Sequence, residues 1–140
     1  MGLGKLKSIL ANSDYVIMNE VGWKLLLESS LTCKLSSPED LLNLGPQAVI
    51  ITRGSMGVEV WTEAEKFSIS PIKVDVVDTT GAGDSFSAGF IWALLNGENL
   101  RRAVEIANAI AAISTTRIGA KNSLPKLSEV KPTLAKLNLI

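Results

Sequence analysis

Leu3, Leu6, Ile9 and Leu10 recur at helical spacing and predict a short amphipathic helix over residues 3–12, broken by Asn12-Ser13-Asp14. Tyr15-Val16-Ile17-Met18 is an apolar run of strand length, with Asn19 and Glu20 at its C-terminal end and a helix from about Val21 to Glu28 after it. Ser37-Pro38-Glu39 has the composition of a helix start: serine as cap, proline in first position, then acids. That helix is expected to run to Gly45-Pro46. Ala48 to Thr52 predicts a second buried strand, with Arg53-Gly54 at its end and Ser55-Met56-Gly57 as turn chemistry. Val58 to Thr62 and about Phe67 to Ile72 predict further strands, joined by a polar turn at Glu63 to Lys66.

The second half reads as mostly helical. One helix is expected over Gly81 to Leu95, stopped at Asn96-Gly97. Asn99 caps the next, which carries Leu100, Val104, Ala107 and Ile110 at helical spacing and is apolar nearly all round from Ile106. Thr115 to Pro125 predicts a loop, and Ser128 to Leu137 a last helix, with Pro132 inside it. Strands alternating with helices imply an α/β layered fold with a largely parallel sheet. In such sheets ligands bind beyond the carboxyl ends of the strands, and Asn19, Thr52 and Gly54 all stand at predicted strand ends.

At 140 residues the chain is of one-domain length, with 46% apolar and 20% charged residues. Lys plus Arg equals Asp plus Glu at 14 each, so charge gives no case for a nucleic-acid or membrane partner. No segment reads as a signal peptide or membrane span. A single cysteine, Cys33, excludes an internal disulfide, reads as a packing residue and fits a reducing, cytoplasmic setting. The absence of histidine excludes His-based triads and the common zinc sites. Mean hydropathy, at +0.27, lies on the apolar side for a soluble domain.

The stretch that carries chemistry is Asp78 to Phe90, DTTGAGDSFSAGF. The small-residue turn Gly81-Ala82-Gly83 leads into Asp84 and at once into an apolar helical run. Glycines let backbone approach a ligand closely, and the first amides of a helix have no internal partner, so the turn suits a phosphate. It serves equally well as a structural strand-to-helix turn, and Asp84 equally well as a carboxylate paired with the helix dipole. Its chemical alternative is a general base that takes a proton from an alcohol attacking phosphorus. No Gly-Lys-Ser/Thr follows the glycines, so the turn is not a Walker A loop, and the spacing is not that of a dinucleotide fingerprint.

These thirteen positions resemble the C-terminal signature of the PfkB/ribokinase family of carbohydrate and nucleoside kinases. Asn19 after a strand, Thr52-Arg53-Gly54-Ser55-Met56-Gly57 after a strand, and Asn108 to Pro125 fall in the family's order. The resemblance implies a three-layer, Rossmann-like ribokinase fold, present in part. It also implies ATP-dependent phosphoryl transfer to a hydroxyl of a sugar or related small molecule, with ATP, Mg²⁺ and K⁺ as cofactors. Asp84 would be the catalytic base at the substrate hydroxyl, and Gly81, Ala82 and Gly83 the anion hole. Asn19, Thr52, Arg53, Gly54, Ser55, Met56, Gly57, Gly83 and Asn108 would contact the nucleotide, Asn108 beside the adenine. Asn108 reads otherwise as a core amide satisfied by backbone, and Asp78 as a turn carboxylate bonding local amides. Asp78, Thr80, Ser114, Arg117, Gly119 and Ser123 would surround a monovalent cation, partly through backbone carbonyls.

Two departures bear on function. Relatives often carry a glutamate three residues after the asparagine, where this chain has Gly22, with Glu20 nearby. Members are also about twice this length, so residues 1–140 are expected to be the C-terminal, nucleotide-binding half, without the N-terminal half and lid that hold most sugar contacts. Either a homo-oligomer or a complementing N-terminal half would then cover its apolar surfaces. The alternative function is a nucleotide-binding or association module without autonomous catalysis.

Overall fold

The computed structural model describes residues 3–29 and 35–140, and Cys33 lies outside these. The chain forms two compact units, Met1–Ser68 and Ile69–Ile140. The first carries α1 (Leu3–Ala11), β1 (Tyr15–Asn19), α2 (Glu20–Glu28), α3 (Glu39–Leu42), β2 (Ala48–Thr52) and β3 (Val58–Thr62), with β4 (Lys66–Ile69) at its end. The second carries α4 (Ala82–Leu95), α5 (Leu100–Ser114) and α6 (Leu127–Lys136). No described helix is long and apolar enough to cross a membrane.

The sheet has the order β1-β2-β3-β4. β1 and β2 are parallel, with Tyr15 opposite Ala48 and Asn19 opposite Thr52. β2 and β3 are antiparallel, Ala48 facing Thr62 and Thr52 facing Val58. The sheet is therefore mixed. Its parallel pair comes from the β-α-β crossover, and its antiparallel part from strands that follow one another through tight turns. Four of the five β2 residues are buried, the unbroken apolar reading of a central strand. On one face Val49, Ile51 and Trp61 pack with Leu10 of α1 and Leu41 of α3, and Val16, Met18, Trp23 and Leu26 close around them. Each such side chain contributes about 1.5–3 kcal/mol on full burial.

Two local expectations change. The Ser37 side chain does not cap α3: Pro38 holds the cap position without a side-chain bond, and the helix ends at Leu42 rather than Gly45. Asp40 instead fastens the loop that precedes the helix. Its carboxylate accepts from the Ser36 and Ser37 amides at 2.7 and 3.0 Å and from the Ser36 hydroxyl at 3.0 Å. Those bonds, the Ser36 amide first, hold the Asp40 carboxyl below its ordinary value. β4 stops at Ile69 rather than Ile72, and residues 70–77 run on without a strand partner assigned among the described residues.

In the second unit α4 buries Phe86, Phe90 and Ala93, and α5 buries a nearly continuous run from Ala103 to Ile110. Asn99 caps α5, its side chain accepting from the Arg102 amide at 3.0 Å. α6 forms in spite of Pro132, which lies on an exposed face where water can serve the freed carbonyl, while Val130 and Leu134 are buried. Gly89 marks the closest approach of α4 to α5: a Cβ there would stand 2.8 Å from Ile110 Cδ1 and 3.2 Å from Ala107 Cα. The absent side chain is what lets the two backbones meet. Gly89→Val is expected to lower stability by about 1–3 kcal/mol through overpacking, read as a lower midpoint in urea unfolding followed by circular dichroism.

Candidate functional site

Gly81 holds the N-cap of α4 with φ +84°, a left-handed conformation that side chains rarely adopt. A Cβ there would also lie 3.1 Å from the Cα and carbonyl oxygen of Ala120. The glycine is thus required twice, by its dihedral and by the backbone behind it. The Ala82 amide donates to Thr79 O at 3.1 Å, and the first helical bond runs from Ser85 N to Gly81 O at 2.9 Å. Gly83 and Asp84 lie ahead of that bond, so their amides have no acceptor within the helix. Both residues are exposed, and the space where a Gly83 Cβ would stand is open. Of the expected anion hole, the Gly83 and Asp84 amides are available and the Ala82 amide is taken by the turn. Ser85, immediately next, is 1% exposed, and its hydroxyl has no hydrogen-bond partner. An unsatisfied buried hydroxyl costs about 1–3 kcal/mol, so this one is suited to an ordered water or ligand.

The residues expected around a cation fall into two sets. Asp78, Thr80, Gly119 and Ser123 are linked by hydrogen bonds. Asp78 Oδ1 accepts from the Thr80 hydroxyl and amide at 2.7 and 2.9 Å, and Asp78 Oδ2 from the Gly119 amide at 2.8 Å. Gly119 O accepts from Ser123 N at 2.9 Å. The other two have side chains committed elsewhere: the Ser114 hydroxyl donates to Ala111 O, and Arg117 pairs with Glu129 at 2.7 Å. Arg117 has only its backbone oxygen left for such a role, whereas the Ser114 hydroxyl, though donating, keeps its lone pairs. Among the described residues no group of three or more acidic, cysteine or histidine side chains is placed to hold a metal.

Asn108 is buried and its amide nitrogen donates to Ser70 O at 2.9 Å. It ties α5 to the segment after β4, the backbone-satisfied arrangement that the sequence also allowed.

In the first unit, Asn19 and Thr52 are partners at the C-terminal ends of the parallel strands. The Asn19 side chain caps α2, accepting from Gly22 N at 2.7 Å. A Cβ on residue 22 would come within 3.2 Å of that oxygen, so Gly22 gives the cap room. Past Thr52 the chain turns through Gly54–Met56, closed by Met56 N to Arg53 O and Gly57 N to Gly54 O at 3.0 Å each. Gly54 and Gly57 supply the positive φ that the turn requires. Gly54, Ser55 and Met56 are exposed and Thr52 is half-buried. Arg53 is not free: Nη1 donates to Glu59 Oε1 at 2.8 Å, and Nη2 lies 3.5 Å from Glu20 Oε1. Glu59 was not singled out by the sequence, since only the β2–β3 register brings it beside Arg53. The one signal was a tight turn between two strands, which makes its flanks cross-strand neighbours.

The Asp78 carboxyl is held below its ordinary value, first by the Thr80 hydroxyl, then by the Thr80 and Gly119 amides. Its contribution to stability is present above the ordinary carboxylate value and is lost as pH falls through the lower, folded one. In unfolding scans from pH 7 to pH 3, Asp78→Asn should therefore lose less stability across the acid limb than the parent chain. Glu129, lowered by Arg117, Asp40, lowered by the Ser36 amide, and Glu39, lowered by the Ser37 hydroxyl, contribute to the remaining loss.

Residues 2–127 match the pfkB family carbohydrate kinases. An uncharacterized sugar kinase of Archaeoglobus fulgidus is 30% identical over 125 residues, which cover 89% of this chain and 49% of that protein. The crystal structure of a ribokinase from Thermotoga maritima superposes with a TM-score of 0.86 at 37% identity, over 92% of this chain and 44% of that one. Arabidopsis thaliana ribokinase, solved with ribose and ATP, gives a TM-score of 0.79 at 28% identity, over 91% of this chain and 43% of its own. The chain thus spans about half the length of such relatives, and it shares their ribokinase fold. A match over residues 2–127 establishes the family: the chain belongs to the pfkB carbohydrate kinases.

Proposed function

We propose that the chain is the C-terminal, nucleotide-binding portion of a carbohydrate kinase that transfers the γ-phosphoryl group of ATP to a hydroxyl of a sugar or related small molecule. The observation that carries this reading is the start of α4, where the unpaired amides of Gly83 and Asp84 accompany an exposed Asp84 carboxylate. In this reading Asp84 accepts the proton of the acceptor hydroxyl as its oxygen attacks the γ-phosphorus. The bond from that phosphorus to the β,γ-bridging oxygen breaks, and ADP leaves with the bridging oxygen. The first-turn amides stabilise charge on the transferred group. Asn19, Thr52 and the turn Gly54 to Gly57 line the nucleotide, and Asn108 acts from within α5.

Magnesium enters with the nucleotide, where it neutralises phosphate charge. That fits a chain whose described residues hold no acidic cage and whose position 22 is glycine. For potassium, the oxygens of Asp78, Thr80, Gly119 and Ser123 offer a compact hard-oxygen set, with backbone oxygens of Ser114 and Arg117 beyond it.

A second reading, an association or nucleotide-binding module without catalysis of its own, is favoured by the first unit's surface. β1 is the edge of the sheet, and its four apolar residues are only half-buried. Val21 and Leu25 of α2 are 63% and 62% exposed, and α2 buries none of its residues. A complementing N-terminal half or a second copy would cover them.

Two measurements separate the readings. Calorimetry should show binding of Mg²⁺·ATP at millimolar concentration or tighter, and no heat would exclude a competent nucleotide site. Phosphoryl transfer to a panel of sugars and nucleosides should fall about 10²–10⁴-fold in Asp84→Asn with nucleotide binding retained. Turnover unchanged by that substitution would overturn Asp84 as base. Nucleotide binding without turnover, together with a concentration-dependent dimer, would favour the second reading.

A further inference from the structure

Two carboxylates approach one guanidinium at the end of the parallel strands, and they do so unequally. Glu59 Oε1 accepts a 2.8 Å hydrogen bond from Arg53 Nη1. Glu20 Oε1 stands 3.5 Å from Nη2, beyond the usual N–H···O distance, and Lys24 Nζ is 3.6 Å from the same oxygen. All three principal side chains are about a third exposed or less: Arg53 30%, Glu20 33% and Glu59 27%. Glu59 sits within β3 opposite Ile51, so the sheet fixes its position. Glu20 occupies the first turn of α2, a helix that Trp23 and Leu26 pack onto the core without being fully buried, and no strand pairing fixes its side chain. Guanidinium presents parallel N–H donors that match carboxylate and phosphate alike. Here one arm is hydrogen-bonded and the other faces an anion that stands beyond hydrogen-bond distance.

We propose that Glu59 is a positioning residue that aims Arg53 at the nucleotide, and that Glu20 is an internal competitor occupying the place a phosphate oxygen takes on Nη2. The inference rests on the nucleotide reading of Thr52 to Gly57 and deepens it by assigning Arg53 a phosphate contact and the two glutamates opposite effects. Glu20 repels an incoming phosphate and must yield Nη2, so its charge weakens binding. Glu59 keeps the guanidinium turned towards the turn, so its charge strengthens binding. Were Glu20 a magnesium ligand in place of the absent residue-22 carboxylate, its effect would have the other sign.

The test is calorimetric titration of the chain with ATP, without and with Mg²⁺, at low and high salt. The proteins are the parent, Glu20→Gln, Glu59→Gln, Arg53→Met and the Arg53→Met/Glu20→Gln pair, with folding of each checked by circular dichroism. The expected result is ATP binding about fivefold tighter in Glu20→Gln and about fivefold weaker in Glu59→Gln, both effects shrinking at high salt. The Glu20→Gln gain should be smaller in the Arg53→Met background. A merely structural network would weaken binding in both glutamate variants, and that result overturns the proposal. So does weaker Mg²⁺·ATP binding in Glu20→Gln with free ATP unaffected, which would make Glu20 a metal ligand. An unchanged affinity in Glu59→Gln overturns the positioning role. Binding in the parent with any of these outcomes leaves the nucleotide site standing, whereas no ATP binding by the parent overturns the nucleotide reading and this inference together.

Discussion

The candidate chemistry of the second unit depends on a single backbone constraint, the left-handed Gly81 pressed against Ala120. That contact sets where α4 begins, and so which amides are left without helical partners. Asp78, three residues earlier, accepts from the Gly119 amide, so the loop behind the turn is held at Gly119 as well as at Ala120. Farther along, Gly89 brings α4 onto Ala107 and Ile110 of α5. Two missing side chains thus fix a helix at its start and its middle, and the exposed carboxylate between them inherits that rigidity. This is the support a base needs: held by backbone packing, with its own oxygens free.

The first unit solves a different problem. Parallel strands end together, and the helix and turn that follow them leave polar groups on one rim. Asn19 spends its side-chain oxygen on capping α2, and Gly22 gives that cap room. The turn from Gly54 to Gly57 spends the Met56 and Gly57 amides on closing itself. What remains charged on that rim is Arg53 and Lys24 with Glu20 and Glu59, two charges of each sign, in which Glu20 stands beyond hydrogen-bond distance of Arg53. Exposed ion pairs of this kind add little to stability, about 0–1 kcal/mol, so their geometry matters more than their strength.

Polar chemistry and apolar surface coexist in a chain that spans about half of its relatives' length. β2 is buried like any central strand, while β1, equally apolar, is an edge and only half-buried. Large apolar residues are also left exposed outside β1 and α2, among them Val76, Ile91, Leu95 and Ile118.

Much of this was legible in the residues. Helical spacing located α1 and α5, and short apolar runs located β1 and β2, because one-sided burial and full burial leave different patterns. The Asn99 cap and the glycine-led start of α4 were legible because capping and left-handed turns admit few residue types. The α3 start was misread by one residue: Pro38 rather than Ser37 takes the cap position, and the loop's path, held by Asp40 at the Ser36 and Ser37 amides, decides it. Asp78 and Asn108 could be named, but not their bonds to Gly119 and Ser70, which join segments far apart in sequence. The strand pairing that sets Glu59 beside Arg53 was invisible for the same reason. The sequence by itself determined which local structures form and which residue types stand at their ends, since those depend on near neighbours. Tertiary structure alone decided which side chains are already spent on one another and which are left for a ligand, because that depends on register and on close approaches between distant segments.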